Sequence, residues 1–184
     1  MMSFEDKIIN IANTIFSQSD NNSVLTGIGD DAAVLEIGDN KLVVTTDILI
    51  ENTHFRCDII DPYSLGWKSC AVNLSDIAAM SAKPVAGFVS IGIKEPDEEY
   101  IKSILQGMQD ISSKYNSKIL GGDTVSSKAG LVINITQIGI LEGSYIPLRK
   151  NAKKDDMIIV TKTLGDSLAG LEALLELGFD KAKE

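Results

Sequence analysis

The chain has 184 residues, enough for one well-buried core and part of another. Its 26 acidic against 17 basic residues give a formal charge of -9, which argues against a polyanion-binding surface of lysine and arginine and so against nucleic acid as a partner. Cys57 and Cys70 lack metal-type spacing, no basic-then-apolar leader is visible, and no run is long enough to span a bilayer, so a soluble cytoplasmic protein with reduced thiols is expected.

Ser3 with Asp6 has the form of a capping box, and Phe4, Ile8, Ala12 and Ile15 recur at helical spacing. A first amphipathic helix is therefore expected from about 4 to 17, ended by the polar run Ser17 to Ser23. Ala33-Val34-Leu35 and Lys41 to Thr46 read as two strands joined by Gly38-Asp39-Asn40, the second running directly into Asp47. Asp61 before Pro62 is an N-cap with proline at the first helical position, opening a helix to about Ser81. Pro84 breaks that pattern, and Val85 to Ile93 follows as a strand. Asp97, Glu98 and Glu99 suit the first turn of a helix whose stripe is Ile101, Ile104, Leu105, Met108 and Ile111. Ile119-Leu120 reads as a short strand leading into Gly121-Gly122-Asp123-Thr124, Leu131 to Leu141 as a longer one and Met157 to Thr161 as a last short one. A terminal helix, about Ser167 to Leu177, completes a mixed α/β chain without repeats. The division expected is an N-terminal domain over 1–150 and, from 151 to 184, the start of a second domain whose remainder is absent, because one strand and one helix cannot make their own core.

The chemistry centres on Gly27-Ile28-Gly29-Asp30-Asp31. A Gly-Asp surface turn is the plainer reading of this stretch alone. Elsewhere Asp47 ends a predicted strand, Asp123 follows a strand and two glycines, and Asp76 shares a narrow stripe with Ser69 and Asn73 on an otherwise apolar helix. Strand ends are where α/β proteins bind ligands. Carboxylates with the hydroxyls of Thr45 and Thr46, no clustered cysteine and one histidine form a hard-oxygen set suited to Mg²⁺, and Mg²⁺ usually accompanies phosphates. Neither G-x-x-x-x-G-K-[ST] nor G-x-G-x-x-G is present. Arg149, one of two arginines, reads as a bidentate phosphate contact or a solvated loop residue, and the lone His54 as a hydrogen-bonded structural residue or, from its position just beyond Asp47, a substrate contact.

The segments G-I-G-D-D-A-A-V (27–34), T-T-D-I-L-I-E-N-T-H-F (45–55), A-V-N-L-S-D-I-A-A-M (71–80), G-G-D-T (121–124) and T-L-G-D-S-L-A-G-L (163–171) together resemble the thiamine-monophosphate kinase family. The resemblance covers essentially the whole chain. It implies the N-terminal domain of the aminoimidazole ribonucleotide synthetase-like fold, a mixed sheet with helices on one side that dimerises through its sheet. The activity implied is ATP-dependent phosphorylation of thiamine monophosphate to thiamine diphosphate with several Mg²⁺ ions. Carried over by position, Asp30, Thr45, Thr46, Asp47, Asp76 and Asp123 become metal ligands, Gly122 and Arg149 contact ATP, and His54 contacts the thiamine substrate; Asp31 receives no ligand role. No general base is implied, since the acceptor is itself a phosphate.

Two departures accompany the resemblance. The stretch Arg149 to Asp156 lacks the glycines and proline of the family's basic segment, and members are expected to continue for more than a hundred residues through a second aspartate-bearing domain. The chain is thus expected to be an N-terminal portion, inactive alone. The alternatives are another ATP-using member of the superfamily, such as aminoimidazole ribonucleotide synthetase or selenophosphate synthetase, and a non-catalytic dimerising module that binds Mg²⁺ and nucleotide.

Overall fold

Helix α1 (Phe4–Phe16) starts on the expected capping box: the Ser3 N–H donates to Asp6 Oδ2 at 2.9 Å and the Asp6 N–H to Ser3 Oγ at 3.0 Å. The computed structural model describes residues 3–16, 22–95 and 97–178, so most of the expected terminating run from Ser17 lies outside the described residues. None of the α1 side chains is buried, although the helix is amphipathic.

Strands β1 (Val24–Thr26), β2 (Ala33–Ile37) and β3 (Asn40–Ile50) form an antiparallel meander, with Gly38-Asp39 as the tight turn between paired Ile37 and Asn40. β3 does not stop at Asp47. Nine consecutive pairs with β6 (Val132–Leu141), from Leu42↔Ile140 to Ile50↔Val132, carry the strand three residues further and leave Asp47 inside the sheet. The short β1 escaped the sequence reading because it is an edge strand with no apolar alternation of its own.

Helix α2 (Pro62–Ala79) begins on Asp61, whose carboxylate accepts the Ser64 N–H at 2.9 Å. β4 (Ala82–Ile93) starts before the expected Val85 and holds Pro84 at a bulge, where a residue without an N–H interrupts no ladder bond. Helix α3 (Glu98–Lys114), capped by Asp97, carries the chain across to β5 (Lys118–Ser126), parallel to β4. β5 is nine residues, not two, so Gly121-Gly122-Asp123-Thr124 lies within a strand and not beyond one.

The sheet order is β1-β2-β3-β6-β4-β5. Central β6 alternates strictly, and Ile133 and Ile135 are fully buried beneath α2. The helices α2 and α3 lie together on this face, as close as their glycines allow: a Cβ on Gly66 would sit 1.9 Å from the Ile104 carbonyl oxygen, and one on Gly107 2.1 Å from that of Tyr63. Leu65, Ile104 and Met108, all essentially inaccessible, seal the contact at about 1.5–3 kcal/mol each. The opposite face exposes Ile48 and Phe88.

Beyond β6 the chain passes through a single 3-10 turn, Arg149–Asn151. The strand expected over Met157 to Thr161 does not form; Met157, Ile158 and Ile159 are 83%, 93% and 78% exposed, since among the described residues no neighbouring strand takes their backbone bonds. Helix α4 (Asp166–Leu177) forms as expected but buries no residue. Among the described residues no helix is long and apolar enough to cross a membrane.

Candidate active site

The glycine loop and the 3-10 turn meet through Asp30 and Asp31. Asp30 Oδ1 accepts the Asp31 N–H at 3.1 Å and its Oδ2 accepts the Arg149 N–H at 3.2 Å, so one carboxylate ties the loop to residue 149. The Arg149 guanidinium donates to Asp31 Oδ1, and that bond, with the Asp31 charge, holds the arginine above its ordinary pKa. Phosphate candidate and acidic loop are thus one cluster.

The second wall comes from β3 and α2. Alternation along β3 sends Thr45 inward, where it is buried, and its hydroxyl donates to Asp76 Oδ2 at 2.8 Å. Burial pushes the Asp76 carboxyl above its ordinary value; the Thr45 hydrogen bond opposes this, the nearby charges of Asp47 and Asp31 push it further up, and Arg149 pulls it down. A carboxyl raised in part by neighbouring carboxylates marks a concentration of negative charge that a cation would relieve. Asp30, Asp31, Thr45, Asp47 and Asp76 therefore face one region beside the glycine loop.

Two other candidate ligands stand apart. Thr46 points to the opposite sheet face, where its hydroxyl donates to Asn134 Oδ1 at 3.3 Å and accepts from Thr136 at 3.1 Å. Asp123 lies on β5, in register with Ser90 on β4, Asn134 on β6 and Ile48 on β3. That row is three strand spacings wide, about 14 Å at ~4.8 Å each. Among the described residues no three histidine, cysteine, aspartate or glutamate side chains converge closely enough to hold a metal ion unaided.

Gly122 has a structural reason for its identity. Its φ is +156°, and a Cβ there would lie 1.6 Å from the Val89 carbonyl oxygen. Beside it a groove of about 570 Å³ opens between α3 and β5, lined by Ile101, Leu105, Ile119, Gly122 and Asp123. Sequence reasoning missed this groove. Its signal was Leu105, which lies on the apolar stripe of α3 yet remains exposed. His54 sits in the turn that closes β3, exposed; its Nδ1 accepts the Ile50 N–H at 3.0 Å, and its carbonyl accepts from Lys68 Nζ at 2.8 Å. The ring is thus held in place, with Nε2 left as its donor.

Residues 29–141 match the model of the AIR synthase related protein family, N-terminal domain. Among curated proteins the chain is similar to a thiamine-monophosphate kinase of Buchnera aphidicola subsp. Schizaphis graminum, 41% identical over 165 residues, covering 89% of this chain and 50% of that protein. A Bacillus subtilis thiamine-monophosphate kinase is 40% identical over 156 residues, covering 84% and 48%. The chain spans about half the length of the curated relatives it matches. Among solved structures, one described as AaThiL complexed with AMPPCP and TMP superposes with a TM-score of 0.82 at 31% identity over 95% of this chain and 53% of that one. A thiamine monophosphate kinase from Aquifex aeolicus gives 0.77 at 27% identity, over 95% and 55%.

Proposed function

We propose a function from one premise: the chain belongs to the AIR synthase related family, whose N-terminal domain it carries over residues 29–141. It supplies the metal- and nucleotide-binding part of a thiamine-monophosphate kinase, in which the terminal phosphoryl group of ATP passes to the phosphate of thiamine monophosphate. The observation that carries the reading is the meeting of Asp30, Asp31, Asp76 and Arg149 beside the glycine loop, in a chain about 40% identical to kinases of that name.

The donor set fits Mg²⁺. Carboxylate and hydroxyl oxygens are the ligands this ion takes, and it ordinarily keeps waters and shares substrate phosphates instead of filling an all-protein cage, which suits a cluster short of three converging carboxylates. Asp30, Thr45, Asp47 and Asp76 would hold it, with Asp123 reached through the nucleotide. Bound there, Mg²⁺ would neutralise the transferring phosphates.

The residues of the chain bind and orient. Arg149, already beside Asp31, offers its guanidinium to a phosphate that enters the cluster. The apolar groove between α3 and β5 takes the nucleotide base, and Gly122 lets the strand lie flat beneath it. His54 Nε2 donates to the thiamine substrate. A phosphate monoester loses its second proton near pH ~6, so the acceptor arrives ionised and alignment replaces a general base.

The sheet face opposite α2 and α3, with Ile48, Phe88 and Ile140 exposed, packs on a second copy to form a homodimer. Residues 1–150 make this domain, and 151–184, with α4 unburied, begin a second one. Cys57 and Cys70 are free thiols, in keeping with a cytoplasmic setting.

Calorimetry of the chain with Mg-ATP, paired with analysis for thiamine diphosphate, tests the reading. Binding without turnover is expected from the 184 residues alone. No binding of Mg-ATP would overturn it.

A further inference from the structure

Two side-chain oxygens among the described residues are buried without a hydrogen-bond partner, Asn73 Oδ1 and Gln137 Oε1. Native interiors leave few such acceptors, at ~1–3 kcal/mol each. Gln137 is turned toward β4: its Nε2 donates to the Ala86 carbonyl at 2.9 Å and to Ser117 Oγ at 2.8 Å, and a Cβ on Gly87 would come within 3.0 Å of its oxygen. Its backbone pairs with Thr45 of β3, but its amide is turned the other way, toward β4.

Asn73 stands on α2, three residues before Asp76. Its Nδ2 donates to the Ser69 carbonyl at 3.3 Å, one turn back in α2, which orients the amide and turns Oδ1 away from its own helix. The helix runs antiparallel to β3. Asp76 meets Thr45, and the following Ile77 and Met80 share a cluster with Val43, whereas the earlier Leu65, Cys70 and Leu74 share one with Leu49. The turn before Asp76, where Asn73 stands fully buried, therefore lies at the level of Asp47.

A buried amide oxygen can be satisfied only by a donor. The Thr45 hydroxyl is already given to Asp76. A water bound to a cation has polarised protons, one of which can be donated to a neighbouring acceptor. We infer that Asn73 Oδ1 accepts a hydrogen bond from a water ligand of the divalent cation held by Asp47 and Asp76, making Asn73 a positioning residue for the metal. This rests on the metal site proposed above.

The test is Mn²⁺ binding to the whole chain, read by electron paramagnetic resonance, in the parent, Asn73→Leu and Asp76→Asn, with melting of each protein free of metal. For Asn73→Leu, which removes the orphaned acceptor at similar volume, Mn²⁺ affinity should fall about tenfold while the metal-free melting temperature holds or rises. Affinity within about twofold of the parent overturns the inference. A parent that binds no Mn²⁺ removes the metal site itself, and the inference with it; loss in Asp76→Asn alone removes only the role of Asn73. Should Asn73→Leu fail to fold, Asn73→Asp keeps the acceptor and adds charge, so its affinity should equal or exceed the parent's, and a loss would overturn the inference.

Discussion

The chain carries Gly-Asp four times, and two of the copies, at 29–30 and 122–123, behave differently. Gly29-Asp30 stands in a loop where a Cβ on the glycine would meet nothing within 4 Å, and its aspartate reaches across to the backbone of Arg149. Gly122-Asp123 is pressed into β5, where the glycine is walled by Val89 and the aspartate's Oδ1 accepts only its neighbour's N–H, from Thr124 at 2.9 Å. At the β3 end tertiary contacts gather carboxylates from three segments; at the β5 edge one carboxylate stands alone beside an apolar groove. The same dipeptide is a gathering point in one place and a packing requirement in the other, and what surrounds it decides which.

Substitution of the two glycines should expose this difference most strongly. Gly122→Ala would force a Cβ into the Val89 backbone and should cost on the order of 3 kcal/mol or more in denaturant unfolding. Gly29→Ala has open space, and only its φ of +117° resists, so a loss of about 1 kcal/mol is expected. Equal losses would break the comparison. Next in size is Asp76→Asn, which should weaken Mn²⁺ binding about 100-fold, ~2.7 kcal/mol, with the fold retained in circular dichroism. Asp123→Asn should leave nucleotide-free Mn²⁺ affinity within about twofold while weakening binding of the Mg²⁺ complex of an ATP analogue about tenfold, as expected of a ligand reached through the nucleotide.

Much of this architecture is local and was legible as such. Ser3 with Asp6 and Asp61 with Pro62 cap the helices they were expected to cap, because capping needs only neighbouring residues, while Asp97, expected in the first turn, is itself the cap. The acidic stretches could be found by composition, but their grouping could not. Asp47 was placed at a strand end, whereas pairing with β6 continues through it, and β5 runs on through its glycines because β4 offers a parallel partner. Those extensions are set by residues distant in sequence. The opposite error, at Met157 to Thr161, has the same origin: apolar β-formers make no strand without a neighbour. That Thr45 and Thr46 face opposite sides follows from strand alternation, but the attachment of Arg149 to Asp31 is a contact across more than a hundred residues.

The smallest expected effect is in pH dependence. The folded-state Asp76 carboxyl titrates above its ordinary value, chiefly through burial, so its contribution to stability is full below the unfolded value of 3.8 and is lost as pH rises through the raised one. Asparagine has no such loss. Relative to the parent, metal-free Asp76→Asn should therefore gain stability as pH rises from about 4 to about 7 in thermal melts, and a constant difference would show that the fold does not raise this carboxyl.

The central claim is that a divalent cation belongs with the carboxylates of β3 and α2. Anomalous diffraction from crystals grown with Mn²⁺ and a non-hydrolysable ATP analogue tests it directly. A peak beside Asp76 and Asp47, facing the glycine loop, is the result predicted; occupancy at the Asp123 edge alone, or no peak with nucleotide bound, would contradict it.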